Sequence, residues 1–233
     1  MPTKPSPLLC ELHAHTTWSD GELSVRQLTY LYGTCGFDVL AVTDHTTRGP
    51  GHVDAENYEA YLAEIDAEAE RARRLYGMVV LPGLELTYDD PDPARAAHVV
   101  AVGLREYVGL GEGLEHALAL AREHGAALVA AHPYRLEEAA DTNRGTAAFA
   151  ARTDELAPLV DRFELFNRDT LFEWVAERGL PVVANGDFHR LEHLATWKTM
   201  IPCPKDADAV VAYLRSSRPT FLVRLDDGLQ LAA

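Results

Sequence analysis

The sequence predicts a single α/β domain built as a closed or nearly closed barrel, and three observations carry that expectation. Apolar runs rich in Val and Leu alternate with stretches of helical period along the chain. Those runs are mostly continuous rather than alternating, as in strands buried on both faces. Histidines and carboxylates recur at the ends of the runs, where parallel barrels keep their functional groups. A length of 233 residues suits one such barrel. An open doubly wound sheet is disfavoured: no GxGxxG follows a strand, and GLGEG (109–113) enters a helix without the P-loop lysine.

The first strand spans 8–15 and ends in HAH; a helix over 22–35 leads to a strand over 39–45. The clearest helix, 54–75, sets Tyr58, Leu62, Ile65, Ala69 and Ala72 at steps of three and four. Its other face carries Glu64, Asp66, Glu68, Glu70, Arg71 and Arg74, a solvated surface. Strands over 78–87 and 98–104 follow, joined by the turn DDPDPARA (89–96). Helix 112–124 leads to strand 126–133, helix 142–157 to strand 162–167, and helix 170–179 to strand 180–189. Strands 198–202 and 220–225 flank a last helix, 205–216. Gly36, Gly77, Gly125 and Gly179 each stand between a helix and a strand and read as helix C-caps. Repeated strand–helix units predict a mainly parallel sheet. No repeat or linker divides residues 1–233.

The formal net charge of −15 repels a polyanion over most of the surface, which argues against a long nucleic-acid groove. A small phosphorylated molecule remains compatible, because bound metal ions reverse the sign inside one pocket. No apolar run approaches the roughly 18 residues that span a bilayer. The N-terminal MPTKPSPLL lacks an apolar stretch of signal-peptide length. Cys10, Cys35 and Cys203 are odd in number and form no CxxC, so a reducing cytoplasm is expected.

His13 and His15 lie two apart at a strand end and so share one face, a grip for a metal ion. Asp187 and His189 repeat the arrangement in NGDFH, and Asp20 follows the first pair in the loop. His45, Glu85 and His132 stand near the C-terminal ends of their runs. His98 starts its run, which is explained if 98–104 is antiparallel to 78–87. His52, His116, His124 and His193, in helices and loops, read as ordinary histidines. Nine ligands exceed the need of one ion and suit two or three, with Glu85 as the bridge. Mixed N/O ligation without cysteine suits Zn, Mn or Fe.

The stretches LHAHTTWSDG, VTDHTT, GLELT, His98, AAHPYR, FELFN and NGDFH resemble the PHP (polymerase and histidinol phosphatase) superfamily of metal-dependent phosphoesterases. The resemblance runs nearly the whole chain and implies a distorted (β/α)7-type barrel with a trinuclear metal centre. It implies one ion on His13, His15, Glu85 and Asp187, a second on Glu85, His98 and His132, and a third on Asp20, His45 and His189. His98 and His132 are close enough in sequence to leave room for one helix and no inserted lid domain.

Three divalent ions outweigh the charges of Asp20, Glu85 and Asp187, so the expected pocket is positive and attracts a phosphate dianion. Hydrolysis is expected through a metal-activated hydroxide. Catalysis would run through Asp20, Glu85, Asp187 and His189 as ligands, with Asp44 a candidate to orient an imidazole. Asn167, Arg135, Arg168 and Tyr134 are candidate substrate contacts, with Arg48 and Arg190 behind them. The expected activity is hydrolysis of small phosphomonoesters or phosphodiesters. Alternatives are trimming of nucleotides or short oligonucleotides, and metal-dependent amide or lactone hydrolysis.

Overall fold

The computed structural model describes residues 6–46, 51–142 and 145–226, and their side chains except those of 140–142. In chain order the elements are β1 (Leu8–Glu11), α1 (Val25–Thr34), β2 (Val39–Val42), α2 (Tyr58–Tyr76), β3 (Val79–Tyr88), β4 (Ala97–Val102), α3 (Leu114–Glu123) and β5 (Ala127–Ala131). Then come α4 (Leu136–Thr142), α5 (Ala148–Ala151), α6 (Thr153–Leu156), β6 (Arg162–Asn167), β7 (Thr170–Leu171), α7 (Glu173–Glu177), β8 (Val182–Asn185), β9 (Trp197–Ile201), α8 (Ala207–Leu214) and β10 (Phe221–Arg224). Among the described residues no helix is long and apolar enough to cross a membrane.

The strands pair in the order β10-β9-β1-β2-β3-β4-β5-β6-β7, and β8 pairs with β6. The pairs β1–β2, β2–β3, β5–β6 and β6–β8 are parallel. The pairs β3–β4, β4–β5, β1–β9, β9–β10 and β6–β7 are antiparallel. The architecture is thus an α/β half-barrel of mixed sheet, where a mainly parallel one was expected. The reason is connection length. Residues 89–96 are too few for the crossover that a parallel pair needs, so β4 returns along β3. As expected, this sets the start of β4 beside the end of β3, with Thr87 opposite His98.

Beyond the ladders, Ala14 and Phe188 form a parallel bridge. His15 N donates to Phe188 O at 2.8 Å, and Phe188 N donates to His13 O at 3.1 Å. Lower down, the Thr199 hydroxyl bonds both Ala184 N and Ala184 O at 2.8 Å. These links bring the chain after β8 against β1, so the two flanks of the curved sheet meet.

Alternation along each strand divides the core into two layers, which is why the runs read as continuously apolar. Leu40, Val42, Leu84, Leu86, Val99, Ala101, Leu128 and Ala130 pack outward in one cluster with residues of α1, α2 and α3. Cys10, Leu12, Val39, Ala41, Leu81, Val100, Val102, Val129 and Val183 pack inward with Val210, Tyr213 and Leu214 of α8, which plugs one end. Buried Arg162 holds that plug. Its guanidinium donates to the carbonyls of Leu214 (2.9 Å), Tyr213 (3.1 Å), Ser216 (2.7 Å) and Arg218 (2.8 Å), the open C-terminal end of α8. Arg162→Met is expected to lower stability by about 2–4 kcal/mol in urea unfolding, because buried carbonyls lose their donors. A midpoint unchanged from wild type would rule out this capping.

Two expected helices are broken up. In place of 142–157 the chain makes the single turns α5 and α6, and residues 143–144 lie outside the described set. The Thr153 hydroxyl bonds the carbonyls of Phe149 and Ala150, competing with the helix at that point. In place of 170–179, Thr170–Leu171 pairs with β6 and only α7 is helical. The four predicted C-cap glycines all take positive φ, from 62° at Gly77 to 87° at Gly125.

Candidate metal centre

The inward alternation that gives the core also delivers three of the ligands. In β2 and beyond, Val39 and Ala41 lead by steps of two to His45. In β3, Leu81 leads to Glu85, and in β4, Val102 and Val100 lead back to His98. His132 is out of phase with Val129 and Ala131, and its backbone compensates with a φ of 30°. Asp187 has a φ of 44° and Arg168 one of 54°. These are the positive-φ non-glycine residues among those described, and all three line the same pocket. Left-handed backbone costs on the order of 1–2 kcal/mol per residue and persists where the surroundings impose it.

The nine expected ligands converge. Glu85 lies at the centre: its Oε1 is 3.1 Å from His132 Nε2, 3.2 Å from His98 Nδ1 and 3.5 Å from His13 Nε2. Its Oε2 is 2.7 Å from His45 Nδ1 and 3.5 Å from His15 Nε2. Asp187 Oδ1 is 3.4 Å from His15 Nε2 and 3.6 Å from His13 Nε2. Asp20 Oδ1 is 3.2 Å from His189 Nε2 and 3.6 Å from His45 Nε2. The ring of His15 stacks 4.2 Å from that of His189 and lies 4.3 Å from that of His45.

Three groups have ligating atoms within 4.8 Å of one another: His15, Asp20, His45 and His189; His13, His15 and Asp187; and His13, Glu85 and His132. The geometry therefore shares His15 and His13 between neighbouring groups, whereas the motif-based allotment gave each to one ion. Packing so many imidazoles and carboxylates together leaves atoms unsatisfied. His13 Nε2, His15 Nε2, His98 Nδ1 and Glu85 Oε2 are buried with no hydrogen-bond partner. The 2.7 Å approach of His45 to Glu85 is not aligned as a hydrogen bond; His45 Nδ1 faces Thr87 Oγ1 at 2.9 Å. Buried polar atoms rarely stay unpaired. Bare nitrogens and a carboxylate oxygen gathered in this way fit divalent cations.

The electrostatics agree. Burial alone would raise the Glu85 carboxyl, but His45, His13 and His98 outweigh it and hold it well below the usual carboxylate range. Asp187 is likewise held low, by His13, His15 and His189 against burial, and Asp20 chiefly by His189. Burial together with the neighbouring His45 and His189 pushes the His15 ring down to about 3. Against burial, Glu85, Asp187 and Glu164 pull His13 up, and Glu85 and Asp89 bring His98 to about 8. The carboxylates are thus charged and available to cations.

Other expected residues are placed differently. Asp44 bonds no imidazole directly and approaches one only through Ser19, whose Oγ lies 3.4 Å from His15 Nδ1. It accepts from Thr16 N and Thr16 Oγ1, each at 2.8 Å, and from Ser19 Oγ at 2.6 Å, which pins the loop between His15 and Asp20. In that loop Gly21 N bonds Thr16 O at 2.9 Å, and a Cβ at position 21 would strike the His15 carbonyl. Arg135 turns away to Glu177, at 2.6 Å, beside a separate surface cavity. Tyr134 is buried edge-on against Phe172. Asn167 donates to Glu164 Oε2 at 2.8 Å, and Arg168 Nη2 lies 3.0 Å from both Asp187 Oδ2 and Asp187 O. Arg190 lines the pocket, and Arg48 lies outside the described residues. The open pocket over the cluster is about 450 Å³, lined in part by Asp20, His132, Asn167, Arg168, Asp187 and Arg190.

Four supporting residues escaped sequence reading. Glu164 Oε1 is 2.9 Å from His13 Nδ1. His193, taken as an ordinary histidine, accepts from His189 N at 3.1 Å through its Nδ1; burial first and then Arg168 push its ring down to about 4. Glu11 and Lys198, both fully buried, pair at 2.7 Å beneath the site. Glu11 and Glu164 are each a lone acid in an apolar run, and no local spacing marks any of the four.

Comparison with known proteins gives no matching family model. Over 98 residues, 39% of this chain and 17% of the relative, the sequence is 37% identical to the DNA polymerase/3'-5' exonuclease PolX of Bacillus subtilis (strain 168). The match thus spans a small part of that polymerase. A two-domain protein of Bacteroides vulgatus ATCC 8482, containing a predicted PHP-like metal-dependent phosphoesterase, superposes with a TM-score of 0.72 at 18% identity, over 96% of this chain and 66% of that one. An amidohydrolase of Chromobacterium violaceum, solved with sulfate and no metal, superposes with a TM-score of 0.54 at 16% identity, over 95% and 99% of the two chains. In fold the chain is thus similar to a protein containing a predicted PHP-like metal-dependent phosphoesterase, in line with the resemblance its motifs carry.

Proposed function

We propose that the chain hydrolyses small phosphomonoesters or phosphodiesters with two or three divalent ions, Zn, Mn or Fe. The ions would be held by His13, His15, Asp20, His45, Glu85, His98, His132, Asp187 and His189. What carries this is the set of buried ligating atoms that converge without partners beneath an open pocket. Bound ions would polarise phosphoryl oxygens and lower the pKa of a bridging water towards about 7. The chain supplies position and charge. Asp187 divides its carboxylate, Oδ1 towards His13 and His15 and Oδ2 towards Arg168. Arg168 and Arg190 bring guanidinium groups to the pocket wall, where fork-shaped donors suit phosphate oxygens. An open pocket in a chain of charge −15 favours a short substrate over a polymer. We read the chain as one PHP-like domain of (β/α)7 type without a lid, working in the cytoplasm without membrane attachment.

The stretch shared with PolX favours a second reading, removal of nucleotides from short oligonucleotides. The likeness to an amidohydrolase brings amide and lactone bonds into the test. Metal-loaded protein would be offered p-nitrophenyl phosphate, its bis-ester, a nucleoside 3′,5′-bisphosphate, histidinol phosphate, a short oligonucleotide, an amide and a lactone. The expected outcome is chelator-sensitive release of phosphate or alcohol from a small phosphate ester, with at least two equivalents of metal by elemental analysis. Turnover confined to amides or lactones, or protein that retains no metal, would overturn it.

A further inference from the structure

We propose that Glu164 is the positioning residue of the metal centre, orienting His13 and His132 at once by presenting one buried carboxylate to four donors. The inference rests on the metal-binding part of the function proposed above. Glu164 Oε1 faces His13 Nδ1 and Asn185 Nδ2, each at 2.9 Å. Glu164 Oε2 accepts from the His132 backbone N at 2.7 Å and from Asn167 Nδ2 at 2.8 Å. A carboxylate offers about four lone-pair positions, all acceptors. Here each has a partner, and Glu164 is fully buried, so no water substitutes for any of them.

Two consequences follow for the ligands. The ring nitrogen of His13 that meets Glu164 must be the donor, because the facing oxygen can only accept. Nε2 is left as the ligating atom, and it is the nitrogen that stands buried and unpaired, 3.5 Å from Glu85 and 3.6 Å from Asp187. Just past β5, the bond from His132 N to Oε2 holds the backbone at its φ of 30°. That turn carries the out-of-phase ring into the pocket, with Nε2 3.1 Å from Glu85 Oε1. One side chain of β6 thereby sets the ligands that end β1 and β5. Glutamine cannot replace it: its amide NH₂ would confront one pair of donors.

The test uses zinc as the probe and needs no turnover. In zinc-loaded protein labelled with ¹⁵N-histidine, His13 is expected to carry its ring proton on Nδ1, downfield and slow to exchange. In Glu164→Gln and Glu164→Leu this resonance is lost. The zinc dissociation constant, from competition with a chromophoric chelator, rises about 10–100-fold, while unfolding stays cooperative. A His13 proton on Nε2 in the wild type overturns the proposal even if both variants fail to fold. So does a zinc affinity within about twofold of wild type in a folded variant. Should no phosphate ester be hydrolysed, ring proton and zinc affinity still decide the role of Glu164.

Discussion

Glu85→Gln is expected to cut turnover of the best phosphate ester by about three orders of magnitude, near 4 kcal/mol of transition-state stabilisation, with the fold retained. The two oxygens of this carboxylate stand within 3.5 Å of nitrogens from five different imidazoles, those of His13, His15, His45, His98 and His132. Neither Asp20 nor Asp187 pairs with both the His132 side and the His45 side. Asp20 meets His15, His45 and His189, and Asp187 meets His13, His15 and His189. Glutamine keeps the shape of the side chain but removes its charge and turns one acceptor into a donor pointed at imidazole nitrogens. Ions on either side of Glu85 would lose their shared anionic ligand, so metal content after dialysis falls together with turnover. A Glu85→Gln protein that keeps wild-type metal content and turnover would remove Glu85 from the centre, and with it the bridging arrangement.

How much of this was legible in the sequence depends on the range of the interaction concerned. Period-2 alternation is local, so His45, Glu85 and His98 could be assigned to the inner face from their own strands. The capping glycines are local too, since a positive φ at Gly77 or Gly125 reports only on the helix end before it. Strand direction was half legible. The short turn between β3 and β4 announces a hairpin, but α3 joins β4 to a strand antiparallel to it, and a helical connection reads as a parallel crossover. His132 shows the limit of alternation: its parity is wrong for the pocket, and a backbone departure imposed from β6 corrects it.

The supporting residues were the least legible. Glu164 meets His13 across 151 positions of sequence, and Glu11 meets Gly186 across 175. In FELFN or LLCEL a lone acid reads as the one residue of a strand that faces solvent. Its burial becomes intelligible only when the donors from other strands are in place. The resemblance in motif could flag the FELFN stretch but not which of its residues acts, and it favoured Asn167 over Glu164. The same holds for Asp44, which bonds Thr16 and Ser19 of a loop folded back over it and meets an imidazole only through the Ser19 hydroxyl, 3.4 Å from His15 Nδ1.

The buried pair beneath the site ties stability to function, and Lys198→Met is expected to cost about 3–5 kcal/mol in urea unfolding. Lys198 Nζ lies 2.7 Å from Glu11 Oε2 and also donates to Thr196 Oγ1 (2.9 Å) and His193 O (3.2 Å). Burial pushes the Lys198 ammonium below its usual value, and Glu11 opposes that shift. Glu11 in turn accepts from Gly186 N at 2.9 Å, Tyr32 Oη at 3.1 Å and His13 N at 3.3 Å. It therefore fixes the backbone that leads into both His13 and Asp187. A Cβ at Gly186 would strike Lys198 Nζ, so the glycine is what lets the pair close under the turn. Removing the lysine alone strands a carboxylate with no counter-charge in a site that water does not reach. Removing the charge on Glu11 as well relieves that penalty: Glu11→Gln combined with Lys198→Met should recover at least about 2 kcal/mol of the sum of the single losses. The backbone donors of Gly186 and His13 would still find an amide oxygen in the double variant, so its metal affinity should stay nearer wild type than that of Lys198→Met. If the single variants instead lose little and their losses simply add, the pair is not what holds these two strand ends together, and the geometry of His13 and Asp187 must be set from above by Glu164 and Arg168.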